Sequence, residues 1–199
     1  MKTNQEFLDQ AKKSLSGNWG IAIGGHLIAI LILGTIQIIP VVGVFAGILI
    51  GGPMTVGLAY FSLRLAKDEE ARIEQLFVGF NDFGRTLGAY LLVAVYTILW
   101  ALLLIIPGLI KSMAYTQTFF ILAEDAEISA DDAIVKSMDM MDGYKWKYFF
   151  LAFHFIGWSI LSVLTLGIGF LFLIPYMQVS TANFYLEVKE NYEQQQHNA

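Results

Sequence analysis

The sequence contains no cysteine, which excludes disulfide bonds, thiolate metal ligands and a thiol nucleophile. Charge is also scarce, because only 15% of the 199 residues are Asp, Glu, Lys or Arg, whereas soluble domains carry about 25%. Hydrophobic residues make up 56% of the chain. This balance predicts an integral membrane protein.

Charge is absent from three long stretches, which cover residues 14–63, 86–110 and 148–186. A transmembrane helix needs about 20 apolar residues, so the first and third stretches each have room for two helices. The middle stretch has room for one, and another is expected around and after Lys111. We therefore predict an all-α, polytopic membrane helix bundle formed by a single domain over residues 1–199. Its six membrane helices are expected at 19–38, 44–66, 84–106, 108–124, 146–173 and 175–189.

Three segments of the chain share one order of features, which indicates an internal repeat. Each starts with an amphipathic stretch that ends in a glycine turn, continues with a long apolar run, and passes a proline before aromatic and charged residues return. We interpret each segment as an interfacial helix followed by two membrane helices. The repeats cover approximately 1–70, 71–128 and 129–190, with a polar tail at 191–199, and the turn of the first repeat is expected at Pro40. The marker residues are Gly17, Gly79, Gly143, Pro53, Pro107 and Pro175.

Two amphipathic segments are expected to lie on the membrane surface or to cover the bundle. One is at the N-terminus and the other lies within residues 125–145, where Ser129 is a candidate N-cap with Asp132 three residues later. The apolar faces consist of Phe7, Leu8, Ala11 and Leu15 in the first segment, and of Ala133, Ile134, Ser137, Met138 and Met141 in the second.

The distribution of charge predicts the orientation in the membrane. Eleven of the twelve Lys and Arg residues and all seventeen acids lie on one side of the predicted bundle. The opposite turns, "IIPVVG", "IIPGL" and "TLGIGF", carry no charge. The charged side is therefore expected to be cytoplasmic, with both termini on it. The polar N-terminus does not look like a cleavable signal peptide, so the first membrane helix is expected to serve as an uncleaved insertion signal.

Lys111 is the exception to this charge pattern, and two orientations are open for its side chain. A turn at Pro107–Gly108 would place it about one helical turn from the outer surface, from where it can extend to the outer headgroups. In the other orientation it points inward with Tyr115 and Thr118, which share its helical face, and anchors an anion or a headgroup. The sixth predicted helix has a similar polar stripe that includes Asn183. The two stripes predict either hydrogen bonds between helices or a polar cleft open to the cytoplasm.

Two histidines and a row of small residues are further candidates. His26 and His154 are expected at similar depths on repeat-related helices. The favoured role for them is structural hydrogen bonding. The alternatives are proton relay or ligand binding and, least favoured, metal binding. Gly43, Gly47 and Gly51 recur at every fourth residue and predict close helix packing. A backbone lining for a substrate path is the alternative reading of these glycines.

Catalytic motifs are missing from the sequence. It has no G-x-S-x-G, H-E-x-x-H, P-loop or dinucleotide fingerprint, so neither an enzyme nor a cofactor is expected. No basic patch indicates nucleic acid binding. The favoured function is that of a scaffold, accessory or regulatory membrane protein, whose partners are membrane lipids and another membrane protein or a second copy of itself. The alternative is a small-molecule or lipid transporter, or a lipid-binding protein, that uses the polar cleft.

Several stretches together resemble a family of bacterial integral membrane proteins of unknown function, domain of unknown function 975. They include "LFVGFNDFGRTL", "LWALLLIIPGLIKSMAY", "AIVKSMDMMDGYKWKYF" and the N-terminal "AKKSLSGNWGIAI". The resemblance covers most of the chain and implies a plasma-membrane location. It extends distantly to the membrane domain of some glycerophosphodiester phosphodiesterases, but the catalytic domain of those enzymes is absent here. The family therefore implies no catalytic or binding residues.

Overall fold

The structure, a computed structural model, describes residues 2–38 and 42–197. All regular secondary structure in these two ranges is helical, as the sequence predicts. The turn expected at Pro40 lies outside the described residues. The elements are α1 (Asn4–Leu15), α2 (Trp19–Ile36), α3 (Val42–Ala66), the 3₁₀ helix η1 (Ile73–Phe80), α4 (Phe83–Leu103), α5 (Ile105–Ala114), α6 (Thr118–Glu124), α7 (Ala130–Met140), α8 (Lys145–Leu164) and α9 (Phe170–His197).

Four helices in the described ranges are long and apolar enough to cross a membrane: α2, residues Gly43–Ala66 of α3, Phe83–Leu102 of α4, and α8. Little of the apolar surface is buried in α4 and α8, at 11% and 17% of their most apolar parts, whereas 44% is buried in α3. A soluble monomer rarely exposes such extended apolar surface, so these helices are compatible with a membrane protein.

Charged and apolar surfaces occupy different parts of the structure. The ion pairs among the described residues lie in α1, in the second half of α9, and at or beyond the ends of other helices, such as Arg64 with Glu69 (2.6 Å) and Lys189 with Glu124 (2.7 Å). Most of the exposed large apolar side chains lie within residues 27–49, 91–110 and 146–172. The division is the one expected where part of a helical surface contacts lipid and the rest contacts water.

The predicted apolar face of α1 is confirmed, because Phe7, Leu8, Ala11 and Leu15 are all buried. The helix packs along α9, where the ring of Phe7 lies 5.4 Å from that of Phe184 in an edge-on arrangement.

A capping box closes the N-terminus of α1. Thr3 caps the helix, and the backbone N–H and hydroxyl of Thr3 both donate to the carboxylate of Glu6. The hydrogen bonds from Thr3 lower the pKa of Glu6 below its ordinary value, and nearby Lys2 adds to the effect.

The predicted N-cap of α7 is also confirmed. The side chain of Ser129 accepts a hydrogen bond from the backbone N–H of Asp132 at 3.1 Å. The predicted inner face is buried at Ala133, Ile134, Ser137 and Met141, whereas Met138 is half-buried.

The tightest helix contact in the fold joins α3 to η1. A Cβ atom on Gly57 would lie 1.8 Å from the carbonyl oxygen of Leu76, and one on Gly79 would lie 2.0 Å from the carbonyl oxygen of Pro53. Only glycine allows backbones to approach this closely. Gly17 and Gly143, the other repeat glycines, have positive φ angles of 87° and 77° instead. The three marker glycines therefore serve two different purposes.

The fourth predicted helix, at 108–124, is wrong as a continuous element. The chain reverses at Leu104, whose φ of −160° and ψ of 135° are extended, and not at Pro107–Gly108. Pro107 is the third residue of α5, where a missing N–H leaves no helical bond unmade. Gly108 lets α5 pack against α4, because a Cβ there would lie 2.7 Å from the Cα of Ala101. A second break, at residues 115–117, separates α5 from α6.

The boundary predicted between residues 173 and 175 is also wrong. Leu166 and Gly167 adopt left-handed conformations (φ 55° and 88°), and the N–H of Gly167 donates to the carbonyl of Ser162. This is a C-terminal capping pattern, so α8 ends at Leu164, directly before the uncharged turn "TLGIGF". Pro175 consequently lies inside α9, and α9 continues well beyond the predicted end at 189.

Candidate functional site

The ammonium group of Lys111 is directed toward α4 and α7. Its Nζ lies 5.1 Å from the centre of the Trp100 ring and 3.9 Å from the sulfur of Met138. The half-buried side chain therefore adopts the inward orientation rather than extending past the reversal at Leu104. A cation over an aromatic face is an attractive contact, so Trp100 stabilises this orientation of the lysine.

Tyr115 and Thr118, the predicted companions of Lys111, flank the break between α5 and α6. Tyr115 is buried and its ring lies 6.3 Å from that of Tyr96. The hydroxyl of Thr118 and the side-chain oxygen of Gln117 are buried without a hydrogen-bond partner among the described residues. The break is therefore polar and closed off from solvent.

Ser137 of α7 caps this break. Its hydroxyl donates to the carbonyl of Ala114 at 2.7 Å and accepts from the backbone N–H of Gln117 at 3.2 Å. Both backbone groups lie where the helical ladder is interrupted, so the serine supplies the partners that the ladder cannot.

An aromatic contact joins α6 to α9, the helices for which a polar cleft was predicted. The rings of Phe120 and Tyr185 stack at 5.4 Å, and the Tyr185 hydroxyl donates to the carboxylate of Glu124 at 2.8 Å. Lys189 reaches the same carboxylate. The amide of Asn183 donates to the carbonyl of Val179 in its own helix. The arrangement is a packed contact in which these polar groups bind one another.

The two histidines differ in their surroundings. His26 is buried, its Nδ1 lies 2.8 Å from the carbonyl oxygen of Ala22, and its ring meets Phe61 edge-on. Its Nε2 is buried without a partner among the described residues. His154 is exposed and lines a groove described below. The contacts of the two histidines therefore do not support a role that they share.

The predicted small-residue row contacts two different partners. Added Cβ atoms at Gly43 and Gly47 would clash with Ile36 and Gln37, at the end of α2. A Cβ at Gly51 would instead contact Tyr90 of α4 at 3.4 Å. A four-residue spacing drifts by about 40° per step around a helix, so the row turns from one neighbour to the next.

A groove of about 490 Å³ lies between α8 and α9, with α1 alongside it. Its lining is mainly apolar and aromatic. Ser162 and Thr165 line it too, but their hydroxyls donate to the carbonyls of Trp158 and Ser162 in α8. The remaining polar groups of the lining are the side chains of Gln5, Lys12 and His154 and the hydroxyl group of Tyr176.

Among the residues singled out from the sequence as candidate sites, only His154 lines this groove. The sequence does contain a pattern that marks the groove. Its lining residues Trp158, Leu161, Ser162 and Thr165 follow the i, i+3, i+4 and i+7 spacing of one helix face. Sequence reasoning missed the groove because apolar residues at this spacing equally indicate contact with lipid or with another helix. In the ranges 2–38 and 42–197, no group of three or more His, Asp or Glu residues is arranged to hold a metal ion.

The family profile described as "Protein of unknown function (DUF975)" matches residues 1–111 and 101–192. The chain belongs to the DUF975 family. Among curated proteins and among solved structures, none matches the chain. Membership in DUF975 confirms the family predicted from the sequence and assigns no activity to the groove or to the break. The distant similarity to the membrane domain of glycerophosphodiester phosphodiesterases stays a prediction.

Proposed function

We propose that the chain is a multi-pass protein of the plasma membrane, with both termini in the cytoplasm, and that it acts as a non-enzymatic scaffold, accessory or regulatory protein. The observation that carries this proposal is the division of its surface. Apolar side chains are exposed along the four long apolar helices, while the ion pairs lie in α1, in the second half of α9 and at or beyond the ends of other helices. Lipid would cover the first surface, and water the second.

Two further crossings complete the six-helix arrangement. One is the pair α5 and α6, interrupted at the capped break, and the other is the first part of α9. The order of elements supports a threefold repeat, because a short amphipathic helix precedes a long apolar one in α1–α2, η1–α4 and α7–α8. Each long helix is then followed by a returning element, namely α3, α5–α6 and α9.

The scaffold role is favoured over transport by the packing between α6 and α9. The rings of Phe120 and Tyr185 stack between the two helices that the polar path would use. The outer face of α7 offers a charged surface to a partner, since Asp131, Asp132 and Asp139 are exposed on it.

Purification of the protein from its native membrane separates the two functions. A scaffold is expected to retain a stoichiometric protein partner, and to lose it when Asp131, Asp132 and Asp139 are all replaced by Asn. A transporter is expected instead to move a solute across reconstituted vesicles and to lose flux when Lys111 is replaced by Met. Flux in vesicles that contain the protein alone would contradict the scaffold proposal.

A further inference from the structure

The outer face of α7 forms one wall of a second groove, and the last turns of α9 form the other wall. We call it the α7–α9 groove. Asp132, Val135, Lys136 and Asp139 line it from α7, at the i, i+3, i+4 and i+7 spacing of one helix face. The opposite face of α7 is already buried against the bundle. The side chains that line the groove are therefore those that α7 leaves available to another molecule.

The α7–α9 groove is acidic. Among the described residues, three carboxylates and one ammonium group line it, because Glu193 of α9 adds to Asp132, Asp139 and Lys136 of α7. In the same part of the chain, neither Asp132 nor Asp139 takes part in an ion pair. Glu193 has only a contact of 4.0 Å with the ammonium group of Lys189, which is of little energetic value. The negative charge of the groove is thus largely uncompensated.

The sign of this charge argues against two classes of occupant. The cytoplasmic surface of a membrane is itself negative, so the groove would repel anionic headgroups. A metal ion is also disfavoured, because no group of three or more His, Asp or Glu residues within 2–38 and 42–197 is arranged to hold one. Lysine and arginine side chains of a protein are the cations that remain.

An apolar surface lies between the charges of the groove. Val135 is placed between Asp132 and Asp139 on the same helix face, and 49% of its surface is exposed. Tyr192 lines the opposite wall. Asp132 and Asp139 are two helical turns apart, which is about 10 Å along the axis. A helical segment that lies along α7 would match them with cations at positions i and i+7 and an apolar side chain between.

We infer that the α7–α9 groove binds the basic cytoplasmic extension of a membrane helix in a partner protein. Its lysines or arginines pair with the carboxylates, and an apolar side chain packs on Val135. The inference names the partner of the proposed scaffold and rests on that function. Membrane proteins carry an excess of lysine and arginine beside the cytoplasmic ends of their helices, so such a segment has the charge and the position that the groove requires.

Binding of a defined peptide tests this inference. The full-length protein in mild detergent is titrated with a fluorescent helical peptide that carries lysine at positions i and i+7 and leucine at i+3. A second peptide has glutamate in place of both lysines. Fluorescence anisotropy gives the two values of Kd. We expect only the lysine peptide to bind, with an affinity that falls as salt is added.

Matched double variants separate the groove from general attraction between the peptide and an acidic protein. Asp139→Asn with Glu193→Gln removes one carboxylate from each wall and should weaken binding about tenfold, the sum of two exposed ion pairs of about 0.7 kcal/mol each. Asp131→Asn with Glu190→Gln is the control and should change Kd by less than about twofold. Both of its carboxylates are exposed on the same two helices, but neither lines the groove.

Reversal of the charge gives an independent result. Asp139→Lys with Glu193→Lys should bind the glutamate peptide in preference to the lysine peptide. Thermal midpoints close to that of the unmodified protein are expected for all three double variants, because the changed side chains are exposed.

The inference is overturned if the lysine peptide does not bind or the glutamate peptide binds equally well. It is also overturned if the two neutralised variants lose affinity equally, or if the reversed variant still prefers lysine. Purification from the native membrane tests the scaffold function separately. A partner retained by both neutralised variants contradicts only the groove site, whereas an unmodified protein without a stoichiometric partner contradicts the scaffold function itself.

Discussion

The hydroxyl of Ser137 on α7 accepts a hydrogen bond from the backbone N–H of Gln117, 3.2 Å away, at the break between α5 and α6. It also donates to the carbonyl of Ala114. Through one side chain, the surface helix α7 is thus joined to the interrupted helix beneath it. The short α6 begins at this junction.

Ser137→Ala is expected to destabilise the protein by about 1–3 kcal/mol, because two buried backbone groups would lose their partner. Thermal unfolding in mild detergent measures the effect. Ser159→Ala is the matched control, since that hydroxyl donates to the carbonyl of Phe155 within its own helix and its loss should be nearly neutral. Equal unfolding temperatures for the two variants would show that Ser137 does not cap the break.

Gly57→Ala should disrupt the contact between α3 and η1. The added methyl group would lie 1.8 Å from the carbonyl oxygen of Leu76, and overpacking costs about 1–3 kcal/mol or more. Gly24→Ala in α2 is the control, because its methyl group would meet nothing within 4 Å and alanine favours a helix. The two variants are compared by thermal midpoint and by the yield of monodisperse protein, and a Gly57→Ala protein as stable as Gly24→Ala would refute the close approach.

Lys111→Met is expected to fold normally. Its main loss is the contact with the Trp100 ring, which is worth about 0.5–2 kcal/mol, and a methionine can pack against Met138 in its place. The thermal midpoint should fall only slightly, and any bound partner should be retained. A large loss of stability in this variant would mean that the fold depends on a contact of the Lys111 ammonium group.

The N-terminus of α1 should loosen in acid. The pKa of Glu6 is lowered in the folded protein by the hydrogen bonds from Thr3, so its stabilising contribution is full above the ordinary carboxyl pKa. It is lost as the pH falls through the lowered value. Amide hydrogen exchange of residues 4–8 should therefore report greater opening at low pH once the intrinsic exchange rates are corrected for. Glu6→Gln should show no such dependence, and a dependence that persists in Glu6→Gln would assign it to another group.

Elements with local causes could be predicted from the sequence. The buried face of α1 and the Ser129 cap of α7 depend on residues within one or two turns, so periodicity and capping rules found them. The candidate site was harder to predict from the sequence. Lys111 was recognised as unusual, but the direction of its side chain depends on Trp100 and Met138, which are distant in sequence.

The errors in helix boundaries arose from giving proline too much weight. Pro107 and Pro175 were expected at or beside turns, yet both lie inside helices. Pro107 is in the first turn of α5, where a proline interrupts no helical bond, whereas Pro175 is the sixth residue of α9 and removes one. The turns occur at Leu104 and at Leu166–Gly167 instead. The break at 115–117 had no local signal, since its backbone groups are satisfied by Ser137 from another helix. Similarly, the α3–η1 contact depends on Gly57 and Gly79 meeting in space.

The most direct test of the membrane arrangement uses the absence of native cysteine. Single cysteines are placed at Ile168, exposed in the turn between α8 and α9, and at Gln194, near the end of α9. Intact cells are then treated with a membrane-impermeant maleimide. We predict that Ile168→Cys is labelled from outside and that Gln194→Cys is labelled only after permeabilisation. The reverse pattern, or labelling of both positions in intact cells, would contradict a bundle with its charged surface in the cytoplasm.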